Sequence, residues 1–361
     1  MLKAYKFRLY PNIEQKIYLA KTFGCTRFVY NRMLAERIKS YEENKDLDIK
    51  AIKYPSPAQY KSEFEWLKEV DSLALANAQM NLGKAYKNFF RDKSIGFPKF
   101  KKKTNTNSYT TNNQNGTVYI ENKHIKVPKL KSMIKIKQHR EFNGLIKSCT
   151  ISQVPSGKYY ISILVDAENI QLPKTDSKIG VDLGIKEFAI TSNGDVFHNP
   201  KYLKKSAKRL AKLQKDLSRK QKGSNNRKKA KIKVAKLHEK ISNQRKEMLH
   251  KVSTQLINEN QVIVIEDLKV SNMVKNHKLA KSIADVSWSE FRRMLEYKSK
   301  WYSREIIAAP SNYASSQLCS ACGNQSSQTK DLSCRTYICS VCGMIMDRDI
   351  NASKNLLKLA I

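Results

Sequence analysis

Acidic residues are scarce in this chain of 361 residues: 32 Asp and Glu stand against 68 Lys and Arg, a formal charge of +36. Such an excess repels itself in a compact fold unless a polyanion neutralises it. Nucleic acid is therefore the expected partner, bound in a strongly salt-dependent way. Histidine is also scarce. The six residues, at 124, 139, 198, 238, 250 and 277, are scattered. With no His-x-His pair, a transposase of the HUH type is excluded. No histidine accompanies the cysteine pairs, so a Cys/His finger that reads base edges is excluded too. No run of about 18 apolar residues exists, which excludes a transmembrane helix. The start, Met1-Leu2-Lys3-Ala4-Tyr5-Lys6, lacks an apolar signal core, and a cytoplasmic chain is expected. The seven cysteines are too few and too clustered for a disulfide framework. Cys25 and Cys149 sit among apolar neighbours and read as core.

What is present centres on Cys319-Ser320-Ala321-Cys322 and Cys339-Ser340-Val341-Cys342. Each Cys-x-x-Cys pair is followed by a glycine, Gly323 and Gly343, which allows a tight turn that brings amides toward the thiolates. Four thiolates at this spacing match one structural, tetrahedral zinc whose closed coordination sphere cannot activate water. Cys334, between the pairs, reads as a spectator able to compete as a ligand.

Leu2 to Tyr10 alternates apolar and basic residues and predicts a strand. Ile13 to Asn44 fits one or two helices with Gly24 as a break. A loop at Tyr54-Pro55-Ser56-Pro57 and helices over Ser62–Leu67 and Ser72–Arg91 complete a small helical bundle. The polar run Thr104 to Asn115 reads as a flexible loop. Strands are predicted over 117–120, 124–127, 134–138, 146–154 and 159–165, forming a β-barrel that recruits the first strand. Beyond it, strands at 178–185, 188–192, 261–265 and 305–309 and a helix over 287–302 indicate a mixed α/β sheet. Between them, 201–222 and 226–259 form a basic helical hairpin. There Leu203, Leu210, Leu213 and Leu217 face Ile232, Leu237, Ile241, Leu249 and Leu256, and the lysine-rich outer face suits phosphate. A short final helix is predicted over Asn351–Leu359.

Three acids stand at strand ends or a helix start: Asp182, Glu266 and Asp349, 84 and 83 residues apart. An ionised carboxylate in an Ile/Val-rich strand is costly without a cation. No basic residue lies within either strand core, so divalent metal is the natural partner, and carboxylate oxygens suit magnesium. Two such ions can stabilise both the entering and the leaving oxygen of a phosphodiester displacement.

Gly180-Val181-Asp182-Leu183-Gly184, Val264-Ile265-Glu266-Asp267-Leu268, the double Cys-x-x-Cys and Asp347-Arg348-Asp349-Ile350-Asn351-Ala352 resemble the three RuvC motifs and zinc ribbon of the TnpB family. Tyr5-Lys6-Phe7-Arg8-Leu9-Tyr10-Pro11 and Gly96-Phe97-Pro98-Lys99-Phe100-Lys101 extend the likeness over nearly the whole chain. The resemblance implies an α+β multidomain fold: a wedge β-barrel with a helical recognition bundle, plus an RNase H-like (RuvC) α/β domain with an inserted zinc ribbon. The corresponding spans are 1–10 and 100–176, 11–99, 177–314 with 346–361, and 315–345. It implies RNA-guided cleavage of double-stranded DNA beside a short transposon-associated motif, with a guide RNA from the transposon end. Two magnesium ions would sit on Asp182, Glu266 and Asp349, with Asp347 the alternative third acid. Motif recognition would fall to the bundle and barrel, where Tyr54, Asn77 and Asn81 are polar candidates. No membrane and no small-molecule substrate are implied. The alternatives are an RNA-guided repressor that does not cut, which would have lost an acid, and an RNA-independent, structure-selective nuclease.

Delegating sequence reading to RNA agrees with basic residues spread over every segment, since a hybrid is gripped by its backbone. Aromatics among lysines, as in Tyr159-Tyr160 and Phe97-Pro98-Lys99-Phe100, could stack bases, though most are expected to fill the barrel core.

Overall fold

A computed structural model describes residues 1–43, 54–103, 107–168, 171–327, 329, 331 and 333–360. The chain divides into two compact units, Met1–Glu168 and Asn169–Ile361.

In the first unit, β1 (Leu2–Tyr10) sends Phe7 and Leu9 inward at a spacing of two. It leads into α1 (Ile13–Glu43), then α2 (Tyr60–Glu63), a 3₁₀ turn over Glu65–Glu69, and α3 (Ser72–Arg91). Gly24 does not break α1. A Cβ there would meet nothing, so the residue lies on an open face, and packing of α1 outweighs its propensity cost of about 1 kcal/mol. The helix expected over 62–67 is split between α2 and the 3₁₀ turn. Val29, Leu34, Leu67, Leu75 and Leu82 form the helical core.

Six further strands follow: β2 (Asn107–Asn112), β3 (Tyr119–Glu121), β4 (His124–Lys126), β5 (Ile134–Lys137), β6 (Leu145–Gln153) and β7 (Tyr159–Asp166). With β1 they form an antiparallel sheet ordered β2-β6-β7-β1-β5-β4-β3. The expected loop over 104–115 is corrected where it is described. Residues 107–112 are a strand because Tyr109 and Thr111 alternate inward and are buried; residues 104–106, like Asn44, lie outside the described residues. The two edges of the sheet meet at one end: Asn113, just after β2, accepts through Oδ1 from the amide of Val118, just before β3, at 2.8 Å. Tyr159, Cys149 and Ile163 are core, and Cys25 is buried among the helices. Phe97 and Phe100 are not core; they are 45% and 49% exposed.

The second unit is built on β8 (Lys178–Leu183), β9 (Glu187–Thr191), β10 (Val196–His198), β11 (Val262–Glu266) and β12 (Glu305–Ala309), in the order β10-β9-β8-β11-β12. β8, β11 and β12 run parallel, while β9 and β10 are antiparallel. The basic hairpin is α4 (Tyr202–Ser218) and α5 (Asn225–Glu259), joined through Leu210, Leu213, Leu237 and Ile241. The predicted seam is corrected at its ends. Ile232 is 39% exposed, and Leu249 and Leu256 pack into the sheet core instead. Two helices escape the sequence pattern, α6 (Val270–Met273) and α7 (His277–Val286), ahead of α8 (Trp288–Tyr302). A two-stranded ribbon, β13 (Thr336–Ile338) and β14 (Ile345–Asp347), leads into α9 (Arg348–Leu357). Among the described residues no helix is long and apolar enough to cross a membrane.

Candidate active site and metal centre

Asp182 lies in β8, and Glu266 ends the adjacent parallel strand β11, paired from Val262 to Ile265 with Lys178 to Val181. Parallel pairing thus sets the two acids near each other at the same end of the sheet. Asp349 arrives from α9, which begins three residues earlier than expected. The helix reaches β8 because position 180 is glycine. A Cβ there would lie 2.0 Å from the Ser353 carbonyl oxygen and 2.6 Å from the Leu357 nitrogen. Gly180 is what allows the helix to lie directly on the strand.

The three carboxylates act on one another. The Asp182 carboxyl is pushed well above its ordinary range by burial, then by the negative charges of Glu266 and Asp349, and it hydrogen-bonds with Glu266. Burial also raises Glu266, whose Oε1 accepts from Ser315 Oγ at 3.0 Å. Asp182 and Glu266, both held largely out of water beside each other, resist ionising together without a cation. The Arg348 guanidinium, on a residue only 9% exposed, opposes the rise at both. Arg335 Nη1 stands 3.4 Å from Asp349 Oδ2.

Asp347 and Asp349 have different duties. Asp347 is the N-cap of α9, its Oδ1 accepting from the amides of Asp349 at 2.9 Å and Ile350 at 3.1 Å. Asp349, one residue into the helix, is left to face the other acids. Beside Glu266 opens a cavity of about 420 Å³, lined also by Leu183, Trp288, Arg292 and Arg293.

The four cysteines converge. Their sulfur atoms all lie within 4.8 Å of one another, with Cys319–Cys342 and Cys322–Cys339 each at 3.6 Å. A tetrahedral ion with sulfur at about 2.3 Å requires sulfurs about 3.8 Å apart, so this set fits a metal ion. Both pairs turn alike. Gly323 and Gly343 have φ of +77° and +72°, a conformation that suits glycine, and their amides donate to the carbonyls of Cys319 and Cys339. Amides of Cys342 and Val341 pull the Cys339 thiol down to about 6, toward the thiolate that a metal needs. Cys334 lies outside this set, its Sγ against the Thr336 carbonyl at 3.2 Å.

One segment ties the two centres together. Ser315 holds Glu266 and Cys319 begins the cysteine set. Between them, the Leu318 carbonyl accepts from Asn351 Nδ2 at 2.7 Å and Asn355 Nδ2 at 2.6 Å, and the Ser320 amide donates to Asn351 Oδ1 at 2.9 Å. Asn351 and Asn355, one turn apart on α9, are fully buried. Arg348 and Asn351 stand within the motif around Asp349 but were given no role of their own from the sequence, and Ser315, Arg335 and Asn355 were given none either. Only the Asn-x-x-x-Asn spacing on a helix face offered a signal.

In the first unit, Tyr54 lies under the Arg37 guanidinium at 4.8 Å. Asn77 Nδ2 donates to the Leu73 carbonyl at 2.8 Å and to Asn112 Oδ1 at 3.4 Å, while Asn81 is exposed on α3.

The chain is similar to known proteins over nearly its whole length. Residues 162–277 match a family described as "Probable transposase" (OrfB of IS605), residues 1–46 its "Helix-turn-helix domain", and residues 288–356 a "Cas12f1-like, TNB domain". Over residues 1–43, however, the chain forms β1 and one unbroken helix. A Streptomyces pristinaespiralis protein named "Putative RNA-guided DNA endonuclease" is 36% identical over 98% of this chain and 88% of its own length. Another of that name, InsQ of Escherichia coli K12, is 37% identical over 99% and 92%. Among solved structures, the protein of a Cas12f1–sgRNA–target DNA complex shares the fold with a TM-score of 0.64, at 13% identity over 99% of this chain and 98% of that one.

Proposed function

This chain belongs to the TnpB family, and on that premise we propose that it is an RNA-guided endonuclease of double-stranded DNA, encoded by an insertion sequence, cutting beside a short transposon-associated motif. The observation that supports the reading is the placing of β8, β11 and α9: parallel pairing brings Asp182 and Glu266 to one end of the sheet, and Gly180 lets α9, with Asp349 in its first turn, lie on β8. We read the second unit as an RNase H-like RuvC domain, 177–314 with 346–361, carrying a zinc ribbon at 315–345. The sheet whose edges meet at Asn113 and Val118 is read as belonging to the wedge barrel, 1–10 with 100–176, and 11–99 as the recognition bundle. The guide is a transposon-end RNA. Tyr54, Asn77 and Asn81 remain candidates for contacting the adjacent DNA motif.

Asp182, Glu266 and Asp349 would hold two magnesium ions, which when bound stabilise the entering and leaving oxygens of the displaced phosphodiester. Ser315 orients the Glu266 carboxylate, and Asp347 fixes the first turn of α9 so that Asp349 faces it. Arg348 moderates the repulsion among the acids before metal arrives. Arg335, half exposed, can turn from Asp349 toward a phosphate oxygen of the bound strand. The cavity beside Glu266 has room for a nucleotide next to the cut. Cys319, Cys322, Cys339 and Cys342 would hold one structural zinc, closed to water.

The test is cleavage of a plasmid with a guide-matched target. Asp182→Ala, Glu266→Ala and Asp349→Ala are each expected to cut at least about 1,000-fold more slowly, as when one member of a cooperating set is removed. Guide and target binding should stay within about twofold. Asp347→Ala should lose about 1 kcal/mol of helix stability and keep measurable cleavage. Retained cutting by all three acid variants would mean that the site is elsewhere. Undiminished cutting by RNA-free protein would remove the guide.

A further inference from the structure

We propose that four aromatic rings at the end of α3, Tyr86, Phe89, Phe90 and Phe97, form a stacking platform for unpaired nucleobases. The proposal rests on the RNA-guided reading and names a nucleic-acid surface on the first unit, made of residues other than the carboxylate site.

The platform is built by a sharp reversal. The Asp92 amide donates to the Asn88 carbonyl at 2.9 Å, and its carboxylate accepts from the Ser94 amide at 3.0 Å and hydroxyl at 2.6 Å. Gly96, at φ +80°, then turns the chain back in a conformation that suits glycine. Phe97 is thereby returned to α3, edge-on to Tyr86 (centroids 5.6 Å apart, 88°) and to Phe89 (5.5 Å, 81°). Phe90 stacks on Tyr86 and leans on Phe89. The rings brace one another, so little rotamer freedom remains to be lost on binding.

Tyr86 anchors the group, packing on the helical core with the Arg37 guanidinium 5.3 Å from its ring; Phe90 and Phe97 reach into water. Phe90 is 69% exposed and Phe97 45%, with Ile95 at 53% and Phe100 at 49% beside them. A patch of large apolar groups left in water marks an interaction surface. Its rim identifies the partner. From residue 84 to 101 the chain carries Lys84, Lys87, Arg91, Lys93, Lys99 and Lys101 against the single acid Asp92, whose carboxylate is engaged in the turn. Protein interfaces are depleted in lysine. Aromatic faces within a lysine rim instead match a strand whose bases stack and whose phosphates are neutralised. Paired bases hide their faces, so the ligand is unpaired; with the guide already held by the chain, the occupant is the DNA strand that guide pairing displaces.

The experiment uses the full chain loaded with guide RNA and carrying Asp182→Ala, so that nothing is cut. Binding of labelled oligo-dT, oligo-U and a mixed duplex, each about 12 nucleotides long, is measured over a salt series. Phe90→Ala/Phe97→Ala is expected to weaken the single strands about 10- to 100-fold and leave the duplex within about twofold. The slope of log affinity against log salt should not change, because it counts phosphates and not rings. Phe90→Trp/Phe97→Trp should restore binding. Photocrosslinking from position 97 to the displaced strand, seen only with target, is expected; crosslinking to the guide without target overturns the assignment. Unchanged single-strand binding, or equal loss for single strands and duplex, overturns the proposal. So does a dimer, seen in sedimentation, that the alanine pair dissociates without affecting oligonucleotide binding, since the occupant is then a second copy. These readouts do not involve cleavage, so a failure of the nuclease assignment is separately visible.

Discussion

At the scale of single residues, Asp182 carries opposed demands. Its carboxyl titrates above an unfolded aspartate because it is buried and faces two other acids. Stability from this group is complete below the unfolded value near 4 and is lost as pH rises through the raised folded value, after which the penalty is constant. Asp182→Asn should therefore raise the melting temperature in chelator at neutral pH by about 2–8 °C, and flatten the decline of stability with rising pH, while abolishing cleavage. Calorimetry in chelator at several pH values checks this; no gain in stability would mean that the acids are already compensated. Asp182 and Glu266 were legible because carboxylates in Ile/Val strands call for an explanation. Arg348 and Ser315 were not legible, since an arginine or serine has no special meaning until folding places it beside those carboxylates.

At the scale of elements, α9 is held from two sides. Against β8 it depends on Gly180. Gly180→Ala drives a Cβ into helix backbone, which should cost about 1–3 kcal/mol as overpacking. It should also slow cleavage about 100-fold by displacing Asp349, and plasmid cleavage beside thermal melting will show both. On its other side, Asn351 and Asn355 hold α9 to the Leu318 carbonyl, one residue before Cys319. Cys339→Ala is therefore expected to remove metal binding at the cysteine set and, by loosening α9, to reduce cleavage. Metal content by mass spectrometry beside cleavage tests it, and full cleavage without metal would separate the centres. Most strands and helices were readable from alternation and spacing. The exceptions have physical causes: β2 is written in Thr, Asn and Ser, residues that usually mark loops, and becomes a strand because Tyr109 and Thr111 find a core. α6 has only four residues, too few for a period to show, and α7, although Leu279, Ile283 and Val286 follow a helical spacing, is a short stretch among lysines.

At the scale of the whole molecule, the charge of +36 sets the terms of association. Lysines such as Lys204, Lys208, Lys212, Lys229, Lys233 and Lys236 remain exposed on α4 and α5. If 6–10 phosphates are neutralised, raising salt from about 50 to 200 mM should weaken nucleic-acid binding about 10³- to 10⁵-fold. A salt titration of guide binding reads this directly, and a flat response would remove the polyanion account of the composition. The two-unit organisation was only partly legible, because β1 joins strands more than a hundred residues later and contact across that distance leaves no local mark. The same separation has a consequence during synthesis. Asp349 is made 167 residues after Asp182 and 90 after the hairpin ends at Glu259, so a ribosome that stalls between Glu259 and Asp349 leaves a polypeptide with every lysine of the hairpin and without the third acid. Such a fragment would occupy guide or target and shield it, turning interrupted translation into a brake on the intact nuclease.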